Sequence, residues 1–195
     1  MVSQRFALLV PVKLLALAKS RLEVAGAAGR EPMMRAFAGD ALEAARLARR
    51  GARIYVVTDE PGFDEGAVRL EDAGDGDLNR ALVHAAREVR LREPDLGVAA
   101  MCADLPSLTA ADLDAGLAAG LSPRWFVADA DGTGTTLLVA GPGVGLEPHF
   151  GPGSARRHEE SGAVPVRAEV ATLRRDVDTS EDLADARALG VGRRT

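Results

Sequence analysis

Short apolar runs alternate along this chain with longer segments whose apolar residues recur at helical spacing, and that alternation constrains the fold more than any single motif. Residues 6–10 (Phe, Ala, Leu, Leu, Val) form a continuous apolar run bounded by Pro11, the pattern of a strand buried on both faces. Residues 33–50 carry apolar side chains at helical spacing and lead to Gly51, a natural residue just past a helix end. Residues 54–57 (Ile, Tyr, Val, Val) read as the next strand and residues 58–62 as a turn. A helix is predicted over 78–92, stopping before Pro94, and a strand over 97–101. Thr109 and Asp112 form a capping box that opens a helix ending near Gly120. Strands are predicted over 125–128 and 135–140, a short helix over 154–161 closed by Gly162, and an extended segment over 173–177. Residues 179–182 cap a last helix running to Leu189. The order predicts one α/β domain over residues 1–195, built on a mostly parallel open sheet with helices on both faces. Ligands of such sheets bind beyond the carboxyl ends of the strands, so the residues that follow each strand are the candidates for chemistry.

Composition removes several function classes. With 195 residues, 47% hydrophobic and 27% charged, the chain can bury a core without staples. A formal net charge of −5 argues against a nonspecific nucleic-acid binder, which needs a basic face. It still permits a nucleotide substrate, whose phosphates a bound divalent cation can neutralise. Cys102 is the only cysteine, so an internal disulfide and a cysteine-rich zinc site are excluded, as suits a reducing compartment. Arg5, the apolar residues 6–18 and the small residues 24–29 have the outline of an export signal. Pro11 and Lys13 interrupt it, and Lys19 and Arg21 follow closely. No stretch approaches the roughly 20 apolar residues of a membrane span. The expectation is a soluble, cytoplasmic protein; its oligomeric state has no signature in the sequence.

Only two of the 24 basic residues are lysine, and both fall just after the first strand, at Lys13 and Lys19, with Arg21 beside them. A compact ammonium on a flexible stem suits a triphosphate oxygen at close quarters. Two solvated loop lysines are the plainer account, but their clustering favours phosphate. The glycines of a Walker loop are missing.

Asp104, within Ala103, Asp104, Leu105 and Pro106, directly follows the 97–101 strand, where a carboxylate points into the ligand crevice; an ordinary turn aspartate is the alternative. Asp176 and Asp178 flank Val177, and alternation puts both carboxylates on one side of an extended backbone. Asp178 is equally placed to flank the last helix. Magnesium is held by a few carboxylates together with substrate phosphates, so these three aspartates form a plausible set.

Residues 129–136 join two strands and read first as a hairpin, although their glycines and threonines offer the donors of an anion-binding turn. Gly151, Gly153 and Ser154 open a short helix, where unpaired N–H groups attract phosphate or carboxylate, and Arg156 and Arg157 add charge. Asn79, after the glycines at 74 and 76, can contact a base edge or simply belong to a capped helix start. His84, His149 and His158 form no spaced cluster, and Cys102 reads as a packing residue.

Taken in order, these motifs resemble the guanylyltransferase family of deazaflavin coenzyme (F-420) biosynthesis, whose members act on 2-phospho-L-lactate or phosphoenolpyruvate. The resemblance spans nearly the whole chain and implies a fold like that of the molybdenum-cofactor and nucleotide-diphospho-sugar transferases. It implies that Asp104, Asp176 and Asp178 bind Mg²⁺, and that Thr136, Gly151 and Ser154 hold the phosphorylated acid. It places Lys13 and Lys19 in the nucleotide-phosphate loop and Leu78 and Asn79 in the guanine-contacting segment. Two departures are Asp77, where glycine is expected before Leu78, and Leu14, where proline is common. The implied reaction joins GTP to a phosphorylated three-carbon acid, with Lys13, Lys19 and Arg21 serving the departing pyrophosphate. Its nucleophile is a phosphate oxygen, largely ionised near neutrality because the second pKa is about 6. No general base is then required, which agrees with the lack of a histidine or cysteine dyad. Arginine-rich usage tilts the acid toward phosphoenolpyruvate. The alternatives are a sugar-phosphate or molybdopterin nucleotidyltransferase, which carries a glycine-rich loop where this chain has residues 13–21, and a non-catalytic nucleotide-binding regulator.

Overall fold

The computed structural model describes residues 4–13, 27–120 and 122–195. A run such as 6–10, apolar at every position, can be satisfied only in the middle of a sheet covered on both sides. Strand β1 (Phe6–Pro11) is there, paired in parallel with β2 (Gly51–Val57) on one side and β4 (Gly97–Met101) on the other. Strand β3 (Val68–Leu70) extends the sheet beyond β2. Beyond β4 come β6 (Thr135–Ala140), β5 (Arg124–Ala128) and β7 (Val164–Pro165), giving the order β3-β2-β1-β4-β6-β5-β7. Only β6 runs antiparallel to its neighbours β4 and β5, so the sheet is mostly parallel, as expected.

The two-residue period of a strand divides the core into two layers. Phe6, Leu8 and Val10 pack with Phe37 and Leu42 of α1 (Ala27–Leu47) and with Leu113 and Leu117 of α3 (Ala110–Ala118). Leu173 of α5 (Ala171–Arg174) and Leu183 of α6 (Ser180–Leu189) join the same layer. Ala7 and Leu9 face the other way, onto Leu82 and Val89 of α2 (Leu78–Arg92) and Ala155 of α4 (Ser154–Glu160). Trp125 donates its indole N–H to Gly116 O at 2.9 Å and meets Phe6 edge-to-face at 5.7 Å, so β5 is keyed to both β1 and α3. Among the described residues no helix is long and apolar enough to cross a membrane.

Four local expectations are corrected. Helix α1 begins at Ala27 and accommodates Pro32, at the cost of a backbone hydrogen bond. It ends at Leu47, and Gly51 is the first residue of β2. The Asp114 carboxylate accepts the amides of Arg49 (3.0 Å) and Arg50 (2.8 Å), drawing these residues out of the helix. Leu173 lies in the single turn of α5, because Asp112 accepts both the amide and the hydroxyl of Thr172 and so pins that turn to α3. The edge strands β3 and β7 were not expected; they are only three and two residues long, and Pro165 is tolerated at an edge.

Close packing at the centre gives a stability test. A Cβ at Gly97 would lie 2.4 Å from Phe6 Cδ1 and 2.9 Å from Ala140 O. Gly97→Val is expected to destabilise the fold by about 1–3 kcal/mol, the scale of overpacking, in urea denaturation.

Candidate active site

Asp104 owes its position to the β4–β6 pairing. Cys102 donates its amide to Thr136 O at 2.9 Å, continuing the ladder one step past Met101 before the chain turns. Leu105, fully buried, and Leu108 anchor the turn and leave Asp104 half-buried at the carboxyl edge of the sheet. A second segment reaches the same place from the other end of the chain. Val177 donates its amide to Asp104 O at 3.1 Å and buries its side chain completely. With Val177 turned inward, Asp176 and Asp178 project beside Asp104, and one carboxylate oxygen from each lies within 4.8 Å of the others.

Helix α6 takes its cap from Thr179 and Asp182, which bond reciprocally, and the amide of Asp178 also donates to Asp182. The Asp178 carboxylate is thus grouped with Asp104 and Asp176 while other residues cap the helix. Three carboxylates are hard oxygen donors. Magnesium–oxygen bonds of about 2.0–2.1 Å place opposite ligands roughly 4 Å apart, so the observed grouping is of the size a divalent cation takes. A cleft of about 510 Å³ opens beside it, lined by Asp129, Asp131, Arg175, Asp176 and Asp178 among others.

The loop between β5 and β6 is a hairpin closed by Asp129. Its carboxylate accepts the amides of Thr133 (2.9 Å) and Gly134 (2.7 Å), and a Cβ at Gly134 would fall 2.3 Å from Asp129 Oδ2. Those amides therefore serve the hairpin rather than an anion, in line with the hairpin reading of these residues and against the anion-binding alternative. Arg174 holds the start of the loop through the carbonyls of Ala128, Asp129 and Ala130.

The 149–154 loop is tied to that hairpin, since Ala155 donates its amide to Thr133 O at 3.1 Å. Gly151 and Gly153 have φ of 117° and 71°, conformations that glycine adopts without strain. Ser154 opens α4 and is 1% exposed, and its amide, expected to be unpaired, is instead bonded to Gly151 O at 3.0 Å because the glycine turn folds back on it. Thr136 is fully buried at the irregularity between β5 and β6, its hydroxyl 3.5 Å from Val127 O. Arg157 wraps the loop from outside, donating to His149 O at 2.9 Å and to Pro152 O, while Arg156 is exposed and faces Glu160.

In the segments expected to meet the nucleotide, Lys13 donates to Gly76 O at 2.7 Å, and Asp77 caps α2 by accepting the amides of Asn79 and Arg80. The departure at Asp77 is thus a capping residue. Leu78 is half-buried against the second core layer. The Asn79 side chain is bonded to the main chain of Phe150. Lys19, Arg21 and Leu14 lie outside the described residues.

A phosphoenolpyruvate guanylyltransferase of Streptomyces scabiei (strain 87.22) is 48% identical over 203 residues, covering 98% of this chain and 94% of the relative. One from Mycolicibacterium gilvum (strain PYR-GCK) is 42% identical over 196 residues, covering 95% and 90%. The chain belongs to the phosphoenolpyruvate guanylyltransferase family. It is therefore a nucleotidyltransferase. It matches no family model. Among solved structures, a 4-diphosphocytidyl-2C-methyl-D-erythritol synthase superposes with a TM-score of 0.62 at 12% identity, over 96% of this chain and 99% of the other. A CMP:2-keto-3-deoxy-manno-octonic acid synthetase complexed with CTP gives 0.57 at 15% identity, over 95% and 98%. These likenesses establish the fold, a nucleotidyltransferase architecture.

One residue packed beside the candidate site was not revealed by the sequence. His158 is fully buried and touches three segments. Its Nε2 accepts the amide of His149 at 2.9 Å, so the ring proton sits on Nδ1 and donates to Thr135 Oγ1 at 2.9 Å. The available signal was weak: Ser154, Ala155 and His158 share the inward face of a seven-residue helix. Burial, reinforced by His149, Arg157 and Arg124, pushes its pKa down from 6.5 to about 4.

The unfolded chain protonates this group below pH 6.5 while the fold keeps it neutral to about 4. Its contribution is therefore complete above pH 6.5 and is lost progressively as the pH falls toward 4. Between pH 7 and pH 5 the native chain is expected to lose about 2 kcal/mol more stability than His158→Gln, read from urea denaturation at the two pH values.

Proposed function

We propose that this chain transfers the GMP moiety of GTP to phosphoenolpyruvate, releasing pyrophosphate, as a step of deazaflavin coenzyme (F-420) synthesis in the cytoplasm. The observation that carries the reading is the meeting of Asp104, Asp176 and Asp178 within 4.8 Å at the carboxyl edge of the sheet, in a chain 48% identical to a phosphoenolpyruvate guanylyltransferase. A single cysteine and the absence of an internal disulfide support the compartment.

The reaction joins two anions. A phosphate oxygen of the acid attacks the α-phosphorus of GTP, a new P–O bond forms, and the bond to the β-phosphate oxygen breaks as pyrophosphate leaves. The nucleophile is already ionised, so the residues have to position it and offset charge. Asp104, Asp176 and Asp178 would hold Mg²⁺, which when bound supplies positive charge at the α-phosphate and the leaving group. Lys13, with Lys19 and Arg21, neutralises the departing pyrophosphate. The nucleoside lies against the segment that opens α2, at Leu78 and the main chain of Asn79. Thr136, Gly151 and Ser154 hold the phosphorylated acid. Neutral, buried His158 braces their loop and takes no proton from the substrate.

Asp104→Asn or Asp178→Asn is expected to abolish pyrophosphate release from GTP and phosphoenolpyruvate while the circular-dichroism spectrum stays native. Full turnover by either variant would remove the metal assignment. Lys13→Ala is expected to lower kcat/KM for GTP by roughly ten-fold or more, the scale of a charged hydrogen bond. An unchanged value would mean that Lys13 only ties β1 to Gly76 O.

A further inference from the structure

Asn79 opens α2, beside the Asp77 cap and the Gly76 carbonyl that Lys13 reaches, where a base-reading amide would be expected. Its side chain does something else. The Oδ1 atom accepts the amide of Phe150 at 2.7 Å, and Nδ2 donates to Phe150 O at 3.1 Å. Both polar groups of one side chain therefore engage both polar groups of one backbone unit, 71 residues away, in the manner of a strand partner.

Phe150 is the residue before Gly151 and the fixed end of a loop that needs fixing. With positive φ at Gly151 and Gly153, the two glycines that flank Pro152 have little conformational preference of their own, and only the proline has a fixed φ. The far end is held by Ser154 N on Gly151 O and by Ala155 N on Thr133 O. At the near end the ring of Phe150 packs edge-to-face on buried His158 at 5.2 Å, and its backbone is held by Asn79. The backbone of Asn79 is fixed in turn, since its amide donates to Asp77 Oδ1 at 2.8 Å.

The geometry points to Asn79 as a positioning residue for the phosphorylated acid: from the helix beside the nucleotide it sets the backbone of the 150–154 loop, and it does not read the base. This rests on the reading that Gly151 and Ser154 contact the acid. One N–H and one lone pair of the amide remain, and base recognition through those is the competing role that the experiment must separate.

Steady-state pyrophosphate release is measured for the full chain and for Asn79→Ala, Asn79→Asp and Ser154→Ala, with phosphoenolpyruvate varied at saturating GTP, GTP varied at saturating acid, and ATP in place of GTP. The expected result for Asn79→Ala is a rise of about ten-fold in the KM for phosphoenolpyruvate, the scale of one or two lost hydrogen bonds. The KM for GTP and the preference for GTP over ATP should stay as in the native chain. Asn79→Asp keeps the acceptor for the Phe150 amide and loses the donor, so it should restore part of the acid affinity. General misfolding would move both KM values, and titration of GTP binding without acid checks that the nucleotide site is intact. A fall in the preference for GTP over ATP, or an unchanged KM for the acid, in Asn79→Ala overturns the inference while leaving the acid site standing. Failure of the underlying reading has its own signature: Ser154→Ala with an unchanged KM for the acid, which overturns the site assignment and this inference together.

Discussion

One carboxylate oxygen from each of three aspartates lies within 4.8 Å of the others, and apolar anchorage on either side fixes the backbone that carries them. Val177 inserts completely into the core layer that also contains Leu105, and its amide is bonded to the Asp104 carbonyl. Burial of a valine or leucine contributes about 1.5–3 kcal/mol, against a repulsion of roughly 3–4 kcal/mol for each carboxylate pair at the effective dielectric of a protein surface, so anchorage offsets only part of it. Core packing thus sets the backbone positions from which the three carboxylates project.

The single reversal of strand direction has a similar importance. Because β6 runs against β4 and β5, its amino end lies at the same edge as their carboxyl ends. That reversal brings the hairpin, Thr136 and, through the Thr133 carbonyl, the start of α4 up to the crevice where Asp104 already stands. An all-parallel sheet would have needed a crossover to deliver a loop to the same edge. The short β5–β6 connection is stabilised instead by one aspartate, Asp129, and by a glycine at 134 that leaves room for it.

The elements that could be read in the sequence are those whose physical cause is local. The strand at 6–10 is apolar at every position, and Asp77, Thr109 and Thr179 cap helices by bonding within three residues of themselves. The grouping of Asp104 with Asp176 and Asp178 was legible because both segments carry a polar residue beside an inward-facing one. What was not legible depends on distant partners. The helix before Gly51 ends early because of Asp114, and the extended segment at 173 curls because of Asp112. Asn79 offers no sign that its partner is Phe150, and His158 looks like any helical histidine until Thr135 and His149 close around it.

The two core layers divide the labour of the site. Leu105, Leu173 and Val177, which support the acidic group, belong to the layer beneath α1, α3, α5 and α6. Phe126, Phe150 and Ala155, which support the loop around Gly151, belong to the layer on the opposite face of the sheet. The sheet itself separates these sets, and substitutions that share no neighbours act almost independently. On the proposed assignment of the two sides, a lineage can remodel the acceptor side by repacking one layer while the acidic group stays intact beneath the other. On that assignment, a substitution behind the Gly151 loop would leave the packing around the acidic group unchanged, because the sheet lies between them.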